Sequence, residues 1–229
     1  MCTRYLTPDQ RAYEQAMSHV TPFWEDFEPH YDVRITNHVP VIRPTPDGGY
    51  IGEAMYWTLL PPRYDSKKAW RLPTFNLRAE RLDESRMYAT PFRQRRCLLP
   101  AAGFYEWPEV DGRKTRHCIR PAEAGLFFFA GLWNAYQSRD GSEADHTCGL
   151  ITCDANPFMR PLHNTGRNKH RMPVILDWAR GNRWLFGDTD EARELLAPCP
   201  DNWLMAYPVT RNAGDVPEQT EPAGEPVYG

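Results

Sequence analysis

Short stretches of apolar or alternating residues, bounded by Pro, Gly and Asp, recur along most of the chain and are typical of β-strands. The predicted strands cover residues 38–43, 50–60, 96–107, 115–120, 126–133, 147–153, 173–177 and 203–209. Helical spacing is limited to a segment with a capping signal at Thr7 and to residues 177–185 and 188–197. Many short strands and few helices predict an α+β fold with a mostly antiparallel, curved or barrel-like sheet core and flanking helices.

The chain length indicates a single domain. At 229 residues, without an internal repeat or an interior linker, the sequence predicts one domain over residues 1–211. Residues 212–229 are rich in Pro, Glu, Gly and Ala, so we expect a loosely ordered C-terminal tail. We expect the protein to be a monomer.

Composition and charge exclude several classes of protein. No apolar run reaches the length of about 20 residues that spans a membrane, and the N-terminus lacks the apolar stretch of a signal peptide. The six cysteines show neither CxxC pairing nor metal-ligand spacing, which predicts no metal and no cofactor. We therefore expect a cytoplasmic protein with no membrane partner. The net charge of −3 means that nucleic acid could be attracted only by a local basic patch.

Cys2 follows the initiator Met1 and is small enough for Met1 to be removed. Removal would leave an α-amine and a thiol on one residue. An α-amine has a pKa of about 7.7–8.0, so a useful fraction is neutral near pH 7 and can attack an aldehyde. The thiol could then close on the resulting imine to form a five-membered thiazolidine ring. Taken alone, the alternative that Cys2 merely follows Met1 is the stronger interpretation.

Asn76, Arg78 and Glu80 alternate along a segment that reads as extended. On a strand these three side chains would share one face, where an amide, a guanidinium and a carboxylate could orient a substrate and bind phosphate. An ordinary solvated face with a surface ion pair is the competing interpretation.

Glu106 stands inside the aromatic stretch Gly103-Phe-Tyr-Glu-Trp107. Apolar surroundings disfavour the ionised carboxyl and raise its pKa, which suits a general acid/base near neutral pH. A Glu at a strand end that reaches water is the alternative.

Two histidines, His163 and His170, lie in a polar, basic loop after the predicted strand 147–153. Loops anchored by strands often carry catalytic groups. Either histidine could stabilise negative charge, and either could be an ordinary surface residue. Arginines are dense around this loop and after Asn76, which makes a local phosphate-binding patch plausible.

Together these segments resemble the SOS response-associated peptidase (SRAP) family from Cys2 to about Thr210. The motifs that carry the resemblance are Met1-Cys-x-Arg-Tyr5, Trp57, Asn76-x-Arg-x-Glu80, Arg96-Cys-Leu-Leu-Pro-Ala-Ala-Gly-Phe-Tyr-Glu-Trp107, Phe129-Ala-Gly-Leu-Trp133, Leu150-Ile-Thr152, Arg171-Met-Pro-Val-Ile-Leu176 and Tyr207-Pro-Val-Thr210. Tyr31-Asp-Val-Arg-Ile35 departs from the Tyr-Asn-Val-x-Pro pattern of that family. Six residues separate His163-Asn164 from Arg171, where the family commonly has a closer spacing.

The resemblance implies an enzyme that forms a covalent thiazolidine crosslink with abasic sites in single-stranded DNA and shields the lesion in the DNA damage response. The implied partner is single-stranded DNA, so the protein would be nucleoid-associated when bound. The implied catalytic residues are Cys2, Asn76, Glu106 and His163, with His170 as the second candidate histidine. The implied DNA-binding residues are Arg4, Trp57, Arg78 and Arg171.

Two other functions remain open on the sequence. One is a Cys2-dependent peptidase or autoprotease that uses Glu106 and His163 as acid and base. The other is a reversible single-stranded-DNA-binding module without chemistry, which would bind in a salt-sensitive way even without the Cys2 thiol.

Overall fold

The computed structural model describes residues 2–17, 28–123, 125–209 and 220–229. Its strands are β1 (Arg4–Leu6), β2 (Val33–Arg34), β3 (His38–Pro44), β4 (Tyr50–Trp57), β5 (Arg63–Tyr64), β6 (Asn76–Arg78), β7 (Arg96–Ala101), β8 (Gly103–Glu106), β9 (Glu109–Val110), β10 (Arg113–Lys114), β11 (His117–Pro121), β12 (Phe127–Ser138), β13 (Ala144–Asp154), β14 (Arg171–Pro173), β15 (Ile175–Leu176), β16 (Leu204–Pro208) and β17 (Val227–Tyr228). Its α-helices are α1 (Gln10–Met17), α2 (Ala89–Gln94), α3 (Met159–Leu162), α4 (Trp178–Phe186) and α5 (Thr189–Glu194).

Five strands close into a small barrel. β3 pairs with β4 and β7, β7 pairs with β12, and β12 pairs with β13. A parallel pairing of β13 with β4 completes the ring. Closure leaves none of these five strands at an open edge, and the interior is filled with apolar side chains. The predicted α+β fold with a mostly antiparallel, barrel-like core is therefore confirmed.

A second, antiparallel sheet packs against the barrel, in the order β17-β16-β11-β8-β1-β2. The predicted strand 96–107 is in fact two strands, because the chain leaves the barrel after β7 and enters the second sheet at β8. At this crossing, the Ala102 N–H donates to the carbonyl of Leu6. Both strands are buried along their whole length, so the sequence stays apolar where one strand ends and the next begins. The hydrophobic pattern therefore gives no sign of the boundary between β7 and β8.

Three of the helices, α1, α4 and α5, begin at capping carboxylates. Asp9 accepts a hydrogen bond from the Ala12 N–H at the start of α1, whereas the Thr7 hydroxyl, the expected cap, accepts from the His30 N–H. Asp188 forms a capping box with Glu191 at the start of α5. No helix in the described residues is long and apolar enough to cross a membrane.

The end of the chain is paired with the second sheet. Residues 212–219 of the expected tail lie outside the described residues. Val227 and Tyr228 pair with Ala206 and Met205 of β16, and the Gly229 N–H donates to the carbonyl of Leu204. Residues 227–229 are therefore held by backbone hydrogen bonds, which the polar composition of the tail did not indicate.

Candidate active site

Cys2 lies directly before β1, which is fixed against the barrel by one aromatic side chain. The ring of Tyr5 packs edge-on against Trp57 and Phe129, with centroid distances of 5.1 and 5.7 Å. Because β1 runs antiparallel to β8, the residues before β1 lie beside the end of β8, where Glu106 stands. The packing of Tyr5 thus brings the second residue of the chain next to a buried carboxyl group.

Cys2 and Glu106 influence each other electrostatically. Cys2 is fully buried, and Glu106 is 4% exposed. Burial raises the pKa of the Cys2 thiol well above its ordinary value, and the negative charge of Glu106 raises it further. Burial also raises the pKa of Glu106 to about 7. The carboxyl group can therefore exchange a proton near neutral pH, while the thiol stays protonated.

Asn76 connects Cys2 to the barrel. It begins β6, which runs parallel to β13. Gly149 of β13 permits this arrangement, because a Cβ atom there would lie 2.6 Å from the carbonyl oxygen of Thr74. The Asn76 Nδ2 donates to the Cys2 carbonyl oxygen at 2.8 Å. Its buried Oδ1 has no hydrogen-bond partner among the described residues. The amide therefore holds the Cys2 backbone and keeps an acceptor available.

His163 follows α3 and is buried in its neutral form. Burial lowers the pKa of the imidazole to about 4. The His163 Nδ1 accepts a hydrogen bond from the Arg171 N–H at 3.0 Å, so the ring proton resides on Nε2. His170 is half-buried, and its Nδ1 lies 3.2 Å from the carbonyl oxygen of Arg160. Of the two histidines, His163 is the one whose ring is oriented by a buried backbone contact.

The loop that follows His163 is attached to the segment after Glu106. The side-chain amide of Asn164 accepts a hydrogen bond from the Glu109 N–H at 3.0 Å and donates to the Glu109 carbonyl at 2.9 Å. These two bonds bring the His163 segment to a residue only three positions beyond Glu106. Cys2, Asn76, Glu106 and His163 thus belong to segments that the fold ties together at the junction of the barrel and the second sheet.

Glu80 does not share an extended face with Asn76 and Arg78. β6 ends at Arg78, and Glu80 lies in the 3₁₀ helix Ala79–Arg81. The Glu80 carboxylate binds the Arg171 guanidinium through both oxygens, at 2.6 and 3.0 Å. Arg171 is 3% exposed and also donates to the carbonyl of Thr152 at 2.6 Å. Its guanidinium is therefore committed to protein groups, and its backbone N–H orients His163.

The other residues expected at the DNA surface differ in exposure. Trp57 is fully buried, and its indole N–H donates to the carbonyl of Phe75, so no ring face is open to a base. Arg78 is exposed at the end of β6. The Arg4 side chain is 27% exposed and forms an ion pair with Asp32. Arg4 and Arg78 can thus reach solvent, whereas Trp57 serves the core.

Sequence reasoning missed a cluster of cations and aromatic rings beside Glu106. The buried Asp32 carboxylate forms ion pairs with Arg4, with Arg34 at 3.0 Å and with Arg116 at 3.5 Å. The guanidinium groups of Arg4 and Arg116 lie 5.8 and 5.9 Å from the ring centroid of Trp107. Two sequence signals were available, namely Asp32, where the family pattern has Asn, and Trp107, which follows Glu106. Neither signal indicates which arginines these residues contact.

Comparison with known proteins identifies the relatives of this chain. The family model described as SOS response associated peptidase (SRAP) matches residues 1–216. The abasic site processing proteins YoaM and YoqW of Bacillus subtilis are 30% and 31% identical over 190 residues, which cover 81% of this chain and 79% and 80% of theirs. The abasic site processing protein HMCES of Xenopus tropicalis is 27% identical over 82% of this chain and 65% of its own.

Solved structures agree on the fold. A protein from Bacteroides thetaiotaomicron matches 97% of this chain and 100% of its own, with a TM-score of 0.83 and 22% identity. A protein from Bordetella bronchiseptica matches 91% of this chain and 100% of its own, with a TM-score of 0.79 and 23% identity. With a family model that spans nearly the whole described chain, this protein belongs to the SOS response associated peptidase (SRAP) family.

Proposed function

We propose that this protein processes abasic sites in single-stranded DNA by forming a thiazolidine crosslink between the sugar aldehyde and the amine and thiol of Cys2. The observation that carries the proposal is the surroundings of Cys2. The Asn76 amide donates a hydrogen bond to the Cys2 carbonyl, and the charge of Glu106, whose pKa is about 7, raises the pKa of the Cys2 thiol. The names of the relatives, abasic site processing proteins, support the same substrate.

The α-amine of Cys2, free once Met1 is removed, attacks first. Burial raises the pKa of the thiol, so at neutral pH the thiol is protonated and the neutral amine is the better nucleophile. Attack on the aldehyde carbon gives a carbinolamine. Protonated Glu106 donates a proton to its hydroxyl group, which leaves as water, and a protonated imine remains beside the Glu106 carboxylate.

The thiol then closes the ring. The Glu106 carboxylate left by the first step accepts the thiol proton, and the sulfur adds to the imine carbon. The nitrogen already carries its proton, so ring closure gives a neutral thiazolidine and leaves the Glu106 carboxyl group protonated, as it was at the start. The net change is the loss of one water molecule without oxidation or reduction. A carboxyl group with a pKa of about 7 suits both transfers.

Neutral His163 assists at the sugar oxygen. Its Nδ1 is occupied by the Arg171 N–H, so Nε2–H is the donor that can hydrogen-bond to the oxygen of the opening deoxyribose. A pKa of about 4 keeps this donor uncharged at neutral pH. Arg171 acts through His163 and is a positioning residue in this scheme.

Single-stranded DNA would bind through Arg4, Arg78 and the exposed part of Trp107. Cations that neutralise phosphates and an aromatic ring for stacking are the usual combination for a single strand. Trp57 is left out of this surface because it is fully buried. A Cys2-dependent peptidase is less favoured, since its nucleophile requires a lowered thiol pKa and burial raises that of Cys2.

The proposal is tested with an oligonucleotide that carries one abasic site, on a denaturing gel, after mass spectrometry confirms that Met1 is absent. Wild-type protein should give a heat-stable shifted band without any reductant. The Cys2→Ala protein retains an α-amine but lacks the thiol. It should therefore give a stable band only when borohydride reduces the imine.

An undamaged oligonucleotide and a double-stranded abasic substrate are the controls. A heat-stable band from Cys2→Ala without borohydride would show that the thiazolidine is not the product. Absence of any band from wild-type protein that has lost Met1 would favour reversible binding or peptidase activity.

A further inference from the structure

Arg34 is an exposed cation that the proposed function does not use. It lies directly opposite Arg4 in the antiparallel pairing of β1 with β2, so the two side chains share one face of the second sheet. Like charges that lie directly opposite each other destabilise a pair of strands. This pair of arginines therefore calls for a compensating anion.

The compensating anion is the buried Asp32 carboxylate. Its Oδ2 accepts hydrogen bonds from the Nη2 atoms of both Arg4 and Arg34, the second at 3.0 Å. Because both guanidinium groups bind the same oxygen atom, they lie side by side. The Arg116 guanidinium lies 3.5 Å from the other oxygen, Oδ1. Three cations therefore surround one carboxylate, which leaves a formal charge of +2 on this cluster.

The excess positive charge faces solvent. The side chains of Asp32 and Arg116 are 3% and 5% exposed, whereas those of Arg4 and Arg34 are 27% and 60% exposed. In the part of the chain that the structure describes, no carboxylate other than Asp32 forms an ion pair with Arg4 or Arg34. A guanidinium has five N–H donors, and Arg34 uses one nitrogen for Asp32. Donors therefore remain for an incoming anion.

A strained turn fixes Arg34 at the end of β2. Thr36 has a φ of 73°, which is rare for a β-branched residue. Its N–H donates to the carbonyl of Trp57 at 3.0 Å. The Asn37 side chain accepts from the Arg34 N–H at 2.9 Å, and the Asn37 N–H donates to the Arg34 carbonyl at 3.0 Å. Strain of this kind persists only where surrounding contacts fix it, and it is frequent at ligand-binding sites.

The arginine pair lies beside the candidate active site. The Cys2 Sγ is 3.6 Å from the carbonyl oxygen of Arg4. The Arg4 guanidinium is 5.8 Å from the ring centroid of Trp107, the residue that follows Glu106. A strand whose abasic sugar reaches Cys2 therefore passes within reach of both arginines.

We propose that Arg4 and Arg34 bind one phosphate of the DNA strand between them, as a phosphate clamp, and that Asp32 is the positioning residue that holds the two guanidinium groups together. This inference rests on the proposed function for the identity of the strand and adds Arg34 to the DNA-binding surface. The two free oxygens of a phosphodiester can accept hydrogen bonds from both guanidinium groups. Asp32 offsets the repulsion between the arginines before DNA binds, so the phosphate meets a site that is already formed.

Neutralising one phosphate at a time tests the clamp. Each oligonucleotide carries an unreactive tetrahydrofuran lesion and one uncharged methylphosphonate linkage at a chosen position, and fluorescence anisotropy measures its affinity. At the clamped phosphate, neutralisation should weaken wild-type binding about tenfold, the effect expected for loss of charge-assisted hydrogen bonds. Arg34→Gln should bind the unmodified strand about tenfold more weakly, and neutralisation of that phosphate should then have little further effect. Arg4→Gln should lose its response at the same position.

Arg139→Gln is the matched control. Arg139 is 69% exposed and pairs with Asp65 at 3.2 Å, much as Arg34 pairs with Asp32. This variant should keep the wild-type response at every position. If Arg34→Gln responds as wild type does, or if Arg4→Gln and Arg34→Gln lose their responses at different positions, the shared clamp is overturned.

Asp32→Asn tests the positioning role, because it removes the charge and keeps an oxygen acceptor of the same size. If Asp32 holds the arginines together, the response at the clamped phosphate should decrease, although the protein has become less negative. A stronger response would show that Asp32 only neutralises the arginines, which would overturn its positioning role. Arg34 is exposed, so Arg34→Gln tests the clamp even if Asp32→Asn, which takes a partner from the buried Arg116, fails to fold.

The binding measurement requires no crosslink, so the two proposals can fail separately. A wild-type protein that shows the clamped phosphate but forms no crosslink would support the clamp and contradict the proposed function alone. A wild-type protein that crosslinks abasic DNA, with an Arg34→Gln variant that binds every strand equally well, would contradict the clamp alone.

Discussion

At the residue scale, burial of Glu106 makes the stability of the protein depend on pH. The carboxyl group has a pKa of about 7 in the folded chain and an ordinary value of 4.5. Below pH 4.5 both states are protonated. As pH rises from 4.5 to 7, the unfolded chain ionises first, so stability falls by up to about 3 kcal/mol. Glu106→Gln should therefore raise the Tm at pH 8, relative to its effect at pH 5, by about 6–12 °C.

Thermal unfolding of wild type and Glu106→Gln at both pH values measures this difference. Glu109→Gln is the control, since the Glu109 side chain is exposed three positions away and its carboxylate pairs with the exposed Lys114 at 3.8 Å. A Tm difference between Glu106→Gln and wild type that did not change with pH would show that Glu106 ionises normally. Glu106→Gln should also slow crosslinking, because the amide cannot transfer a proton. The buried carboxyl group thus lowers stability and supports the reaction.

Two substitutions, His163→Ala and His170→Ala, distinguish which histidine takes part in crosslinking. His163 is buried and oriented by Arg171, whereas His170 lies at the loop end, with its Nδ1 at 3.2 Å from the carbonyl oxygen of Arg160. We expect His163→Ala to slow single-turnover crosslinking about 10²-fold or more, and His170→Ala to change it by less than about threefold. The reverse order would identify His170 as the functional histidine. Binding of an unreactive lesion strand should stay nearly constant in both variants.

At the element scale, alternation and turn residues predicted most strands but not their partners. The predicted strands 38–43, 147–153 and 203–209 correspond to β3, β13 and β16. Nothing in the sequence showed that β12 pairs on one side with β7 and on the other with β13, which is what closes the barrel. The hydrophobic pattern of a segment indicates whether that segment is a half-buried strand. The pairing of strands depends on contacts between residues far apart in the chain.

In the candidate site, too, the sequence predicted what depends on neighbouring residues and missed what depends on contacts between distant segments. Glu106 was predicted from the apolar residues on both sides of it, and burial is a local property of a strand. The burial of Trp57 and the binding of Arg171 by Glu80 depend on which segments meet in space. A surface role for Trp57 and Arg171 was therefore a reasonable interpretation of the sequence that the packing does not favour.

The terminal strand β17 gives a prediction at this scale. Removal of residues 220–229 would leave the edge of β16 without its hydrogen-bonded neighbour. Loss of a few net hydrogen bonds at about 0.5–1.5 kcal/mol each should lower the Tm by several degrees. Crosslinking should keep its rate, because β17 is separated from β8 by β16 and β11. A large loss of rate at unchanged Tm would instead place the tail in the binding surface.

At the scale of the whole molecule, the net charge of −3 repels DNA, so binding must depend on a few local cations. Each phosphate contact on a single strand contributes about −0.7 to the slope of log affinity against log salt. Arg78→Gln should therefore weaken binding and reduce the magnitude of the slope by about 0.7. Arg139→Gln changes the net charge by the same amount, but Arg139 is exposed and pairs with Asp65 at 3.2 Å.

Each variant is titrated with a DNA strand that carries an unreactive lesion, at several salt concentrations, and the slope of log affinity against log salt is measured for both variants. If the local patch controls binding, only Arg78→Gln changes the slope, because an exposed charge more than a Debye length of about 10 Å from the DNA is screened. If both variants weaken binding equally, the summed charge of the molecule determines affinity. A protein of net negative charge could then hold DNA only at low salt, and crosslinking would have to occur during brief encounters.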